Sequence, residues 1–123
     1  MSCDVTKFTI SKGSDNTFTF TIKQDNSTLP LTIEVGDTFF ADLVSLDGDV
    51  PYAQVTNQAL VVEDAPNGKV NLVIPLADTA NLVADKGTKV DRYYLRPVYK
   101  LILTCSTVNN GDFIAKVPEV YVD

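Results

Sequence analysis

Thr17-Phe18-Thr19-Phe20-Thr21-Ile22 alternates polar and apolar residues over six positions, and Val70-Asn71-Leu72-Val73-Ile74 repeats that period of two further on. Alternation at this spacing places Phe18, Phe20 and Ile22 on one face of a strand and the three threonines on the other, the pattern of a sheet with one dry side. Phe8 and Ile10 open a shorter strand, with Thr9 facing the other way. The turn cluster Lys12-Gly13-Ser14-Asp15-Asn16 then leads into the Thr17–Lys23 strand. Asp25-Asn26-Ser27 breaks that strand. Pro30 in Leu29-Pro30-Leu31 lacks a ladder donor, so the piece belongs at a sheet edge or in a crossing loop.

Phe39 to Leu46 is apolar on adjacent positions, which predicts a central strand covered on both faces, or a bulge. Asp47-Gly48-Asp49 closes it as a turn, Ala59–Glu63 reads as a strand, and Asp64-Ala65-Pro66-Asn67-Gly68 as a turn into the strand Lys69–Ile74. Leu76 to Ala84 is the one helical pattern, with Pro75 before it and Gly87 as its stop. A helix of that length must lean on the sheets. Val90 to Pro97 reads as an irregular loop. Tyr99–Thr104, the Asn109-Asn110-Gly111-Asp112 hairpin signal, Phe113–Val117 and Val120–Val122 complete the pattern, with Pro118 as an interruption. The fold class expected is all-β, an antiparallel sandwich of about seven to nine strands with one short helix, as a single domain over residues 1–123.

Composition narrows what such a domain does. Thirteen of the sixteen acids are Asp, many beside Gly, Asn or Pro, as a turn-rich β fold requires. The net charge of −6 disfavours nucleic-acid backbones and anionic membranes, so neither is expected as a partner. No apolar run approaches the ~18 residues that span a bilayer. Met1-Ser2-Cys3-Asp4 lacks the basic start and apolar core of a secretory signal, so synthesis in a reducing cytoplasm is expected, with Cys3 and Cys105 as free thiols by default and their pairing left open.

The order of segments resembles a known family. A Lys12-Gly13 turn leads into the Phe18/Phe20/Ile22 strand, and Leu29-Pro30-Leu31-Thr32 follows. Then come Gly68-Lys69-Val70-Asn71-Leu72-Val73-Ile74, the near-helical Asp78-Thr79-Ala80-Asn81-Leu82, the strand Tyr99-Lys100-Leu101-Ile102-Leu103, the Asn109–Asp112 turn and the closing Ile114–Val117 and Val120–Val122 strands. This succession is similar to the small Ig-like β-sandwich modules of tailed-bacteriophage virions, especially the N-terminal domain of baseplate upper proteins. The resemblance implies an Ig-like sandwich and a non-enzymatic structural role in a tail, neck, baseplate or capsid surface. It implies localisation in the virion after synthesis in the host bacterial cytoplasm. The implied partners are other virion proteins and copies of the same chain. Because this chain ends soon after its last strand, a stand-alone component is the form expected.

The chain has no His, which removes the commonest general base and zinc ligand, and two thiols alone cannot close a tetrahedral site. No catalytic residue, cofactor or metal is therefore assigned. Asp47-Gly48-Asp49, joined by Asp25 or Asp64, offers loop oxygens to calcium, but turn chemistry accounts for the same residues. Arg92, Tyr93, Tyr94, Arg96 and Tyr99 concentrate the residue types of protein-interface hot spots in one segment, and they are the candidate interface. Thr17, Thr19 and Thr21 mark a second face that either docks a copy or is solvated. The alternative function is a carbohydrate- or calcium-dependent adhesion module. Such a module would use a platform of Tyr52, Tyr93 and Tyr94 in the absence of any Trp.

Overall fold

The computed structural model describes residues 2–24, 28–46, 55–82, 85–89 and 92–123. Its strands are β1 (Ser2–Cys3), β2 (Lys7–Ile10), β3 (Asn16–Lys23), β4 (Thr38–Ser45), β5 (Gln58–Ala59), β6 (Val61–Asp64), β7 (Lys69–Ile74), β8 (Asp85–Lys89), β9 (Arg92–Arg96), β10 (Tyr99–Thr107) and β11 (Gly111–Val122). One sheet has four strands in the order β1-β3-β7-β6. A second has five in the order β2-β11-β10-β4-β5, and β8 with β9 forms a separate two-stranded ribbon. The four-stranded order corresponds to A-B-E-D of an immunoglobulin-type sandwich, and β11-β10-β4 to G-F-C, with β5 as an added edge. The all-β Ig-like sandwich is therefore the fold observed.

The alternating residues build the core as their period requires. Phe20 and Ile22 of β3 and Val70, Leu72 and Ile74 of β7 point inward and are buried. They meet Leu43 of β4, Leu101 and Leu103 of β10 and Val117 of β11 from the facing sheet. Fully burying each such side chain is worth about 1.5–3 kcal/mol, so this inter-sheet layer is the main source of stability. Phe8 packs beside Phe18 and Phe20, with ring centroids 4.3 and 5.7 Å away, and closes the layer at the β2 edge.

Five expectations are corrected. The helix expected over Leu76 to Ala84 is a single turn, α1 (Leu76–Thr79). Thr79 ends it, because its buried hydroxyl donates to Ser14 O at 2.8 Å and accepts from the Gly13 amide at 3.2 Å, which ties the turn to the β2–β3 connection. Val83 and Ala84 lie outside the described residues. The segment expected as an irregular loop contains β9, paired antiparallel with β8 from Asp85↔Arg96 to Lys89↔Arg92. Thr88, Tyr93 and Tyr94 favour that pairing, but Asp85-Lys86-Gly87-Thr88-Lys89 carries no alternating apolar signal. The Ala59–Glu63 strand is two pieces. β5 pairs with β4 and β6 with β7, so the chain changes sheets at Leu60. Finally, the sandwich is not wholly antiparallel, because β2 runs parallel to β11 from Lys7↔Glu119 to Ile10↔Val122. Pro118 does not end the last strand; it sits where the β10–β11 register shifts between Tyr99 and Leu101, a bulge that spares a missing donor.

Pairing also fixes the two ends of the sandwich. Tyr99 lies opposite Ser45 and Val120, whereas Ser106 lies opposite Thr38 and Thr107 opposite Gly111. The β2–β3 turn, α1 and the start of β10 share the first end, and the Leu76 amide there donates to Asp15 Oδ1 at 2.6 Å. The β3–β4 loop, the β6–β7 turn and the β10–β11 turn share the other. The β8–β9 ribbon lies between α1 and β10 in the chain, so both of its connections start at the first end.

Candidate protein-interaction site

At the second end three loops are stitched together by backbone and carboxylate. Asp37 Oδ1 accepts from the Val108 amide at 2.8 Å and its Oδ2 accepts from the Glu34 amide at 2.9 Å, so one side chain joins the β3–β4 loop to the β10–β11 turn. The Ile33 amide donates to Ala65 O at 2.8 Å and adds the β6–β7 turn. Between them lies a cleft of about 290 Å³, lined by Ile33, Glu34, Val35, Gly36, Asp37, Val62 and Ala65. Val35 is 100% exposed, Val108 66% and Val62 39%, which is unusual for valines placed by such ordered loops. The arrangement is an apolar floor with carboxylates at its rim, set on a rigid scaffold. Such a cleft on a rigid scaffold offers a binding surface.

The ribbon at the other end has the opposite character. Its strands hold Lys86, Lys89, Arg92 and Arg96, four of the ten basic residues of the chain, against Asp85, with Asp91 in the connection between the strands. The backbone register pairs Asp85 with Arg96, Lys86 with Leu95, Gly87 with Tyr94, Thr88 with Tyr93 and Lys89 with Arg92.

Of the candidate interface residues, Arg92, Tyr93, Tyr94 and Arg96 are thus gathered on one strand, with Arg96 exposed. Tyr99 is separated from them. It is 5% exposed, within the core of the five-stranded sheet, so it is a packing residue and not part of a surface. Thr17 and Thr19 are exposed on the outer face of the four-stranded sheet, and the Thr19 hydroxyl donates to Asn71 Oδ1 at 2.7 Å. Asp25, Asp47, Asp49 and Tyr52 lie outside the described residues, and Asp64 accepts from the Asn67 side-chain amide at 2.9 Å. Among the described residues no three His, Cys, Asp or Glu side chains are grouped to hold a metal. No described helix is long and apolar enough to cross a membrane.

Cys3 and Cys105 are both free thiols. Burial pushes the Cys3 thiol up to about 11, with the adjacent Asp4 carboxylate adding to it. Burial likewise pushes Cys105 up to about 12, with Cys3 adding a smaller push. Neither is a nucleophile at neutral pH.

The cleft was not foreseen from the sequence, because its residues come from the β3–β4 loop around position 35 and, distant in sequence, from Val62 of β6 and Ala65 of the turn after it. The local hint was Val35 inside the Glu34-Val35-Gly36-Asp37 turn, where a β-branched side chain has no strand to serve. Compared with protein-family models and with curated proteins, the chain matches none.

Proposed function

We propose that this chain is a non-enzymatic structural protein of a tailed-bacteriophage virion, working through protein–protein contacts in assembly. The observation that carries the contact-making role is the division of the molecule into a basic Tyr/Arg ribbon at one end and an apolar, acid-rimmed cleft at the other. A rigid sandwich supporting two unlike contact surfaces is a building block. The order of its strands and turns is what supports the virion setting, through the resemblance to Ig-like virion modules.

The test is the protein composition of gradient-purified phage particles from a lysate that encodes the chain. Mass spectrometry is expected to find it in a fixed number of copies per particle. Its presence in the lysate and absence from particles sinks the reading. The adhesion-module alternative draws on one observation, the gathering of three loops into a cleft at one end of the sandwich, where such folds bind ligands. A glycan array and thermal unfolding with and without chelator separate the two, since an adhesin of this kind binds sugar or loses stability when calcium is removed.

A further inference from the structure

We infer that Asn110 is a site of spontaneous covalent modification, deamidating to aspartate and isoaspartate through a succinimide, and that the fold shields the second Asn-Gly pair, Asn67-Gly68, from the same reaction. The inference stands apart from the virion reading and does not depend on it.

Asn-Gly is the dipeptide in which this chemistry is least hindered, because a glycine has no Cβ to block the approach of its nitrogen to the preceding side chain. The chain has it twice, at Asn67-Gly68 and Asn110-Gly111. At the second, the Gly111 nitrogen attacks Asn110 Cγ. A new N–C bond closes a five-membered ring, the Cγ–Nδ2 bond breaks, and the Gly111 amide proton departs with that nitrogen as ammonia. Water then opens the ring at either carbonyl, giving aspartate or isoaspartate. One water is consumed, one ammonia is released, and nothing is oxidised or reduced.

The two sites differ in how firmly the fold holds the reacting groups. Gly68 is buried, its amide donates to Ala65 O at 3.2 Å, and the Asn67 side-chain amide donates to Asp64 Oδ2 at 2.9 Å. Asn67 is also the last residue of the 3-10 turn Ala65–Asn67. Closing the ring there breaks both hydrogen bonds and swings a glycine packed so closely that a Cβ would meet Leu31 O at 2.6 Å.

Asn110 and Gly111 are both exposed, and no described atom beyond the chain neighbours lies within 4 Å of where a Gly111 Cβ would stand. Among the described residues none is hydrogen-bonded to the Asn110 side chain. The turn is tied by the Thr107 hydroxyl, which accepts from the Asn110 amide at 3.1 Å and donates to Gly111 O at 2.9 Å. Thr107↔Gly111 is the last rung of the β10–β11 ladder, and an end rung opens at far lower cost than a packed corner.

The product is felt at the cleft end. It adds one negative charge to a molecule already at −6, in the turn whose Val108 amide donates to Asp37 Oδ1 at 2.8 Å. Isoaspartate also routes the main chain through the side-chain carbon, which lengthens the β10–β11 turn that this hydrogen bond joins to the β3–β4 loop.

Peptide mass spectrometry of the full chain, after timed incubation folded and in urea at mildly alkaline pH, tests this. Isoaspartyl methyltransferase with labelled S-adenosylmethionine is the probe for isoaspartate. In the folded chain the Asn110 peptide is expected to gain the mass of amide-to-acid exchange and to accept the label. The Asn67 peptide is expected to convert at least roughly tenfold more slowly, the factor that about 1.4 kcal/mol of extra local opening supplies. In urea the two rates are expected to converge. On anion exchange a later-eluting acidic form is expected to accumulate in the wild type and to be missing from Asn110→Gln, whose longer side chain does not close the five-membered ring. An Asn110 that stays intact in the folded chain, or an Asn67 that converts there as fast as Asn110, overturns the inference. Both readings come from the wild type, so they hold whether or not the variant folds.

Discussion

Gly68 shows how a single position can hold a corner of the sandwich. It caps the 3-10 turn Ala65–Asn67 at φ 67°, and a Cβ there would come within 2.6 Å of Leu31 O and 2.8 Å of Ile22 O. Those carbonyls are backbone and cannot step aside. Gly68→Ala is therefore expected to destabilise by about 3 kcal/mol, from left-handed strain plus the clash, read as a lower urea midpoint with an unchanged slope. The two thiols make a different kind of residue-scale prediction. Unfolded, both ionise near 9.0, whereas folded they are held up to about 11 and 12. Their contribution is complete below pH 9 and is lost as pH climbs from there toward the folded values, because only the unfolded chain gains the thiolates. Thermal melts between pH 8 and about 11 are expected to fall more steeply for the wild type than for Cys3→Ala with Cys105→Ala. Equal slopes would mean that the thiols do not contribute.

Elements differ in how openly the sequence displays them. β3 and β7 were legible because each has one dry face, and a period of two is what such a face imposes. The Asn-Gly signal was legible too, since Gly111 takes φ 68° at the end of the Val108–Asn110 turn. β9 was not, because its partner β8 offers no apolar row and the pairing lies off the core. The switch at Leu60 was equally hidden. β5 and β6 read as one strand, and their division depends on the Leu60 amide reaching Phe39 O at 2.9 Å and the Gln58 side-chain amide reaching Val73 O. For the candidate site, composition alone exposed the Arg/Tyr strand, whereas the cleft needed three distant loops to meet. Tyr99 was grouped with the ribbon by proximity in sequence, but the burial of β10 took it inward.

At the scale of the molecule, the connections of the base-rich ribbon and the loops of the acid-rimmed cleft lie at opposite ends of the sandwich. The strand order carries another consequence, one for how the chain comes off the ribosome. All four strands of the β1-β3-β7-β6 sheet lie within the first 74 residues. The opposing sheet waits for β10 and β11, and β2 has no partner until the last strand arrives. Even the final residue takes part, with Asp123 accepting from the Lys12 amide at 3.0 Å and donating to Ile10 O at 2.9 Å. A half-made chain can therefore complete one sheet and must hold the apolar face of Phe20, Ile22, Leu72 and Ile74 uncovered until β10 and β11 have followed. Nascent chains stalled after β9 are the stage at which chaperone capture and mispairing between neighbouring polysomal chains should be greatest, and release of the last strand ends that exposure.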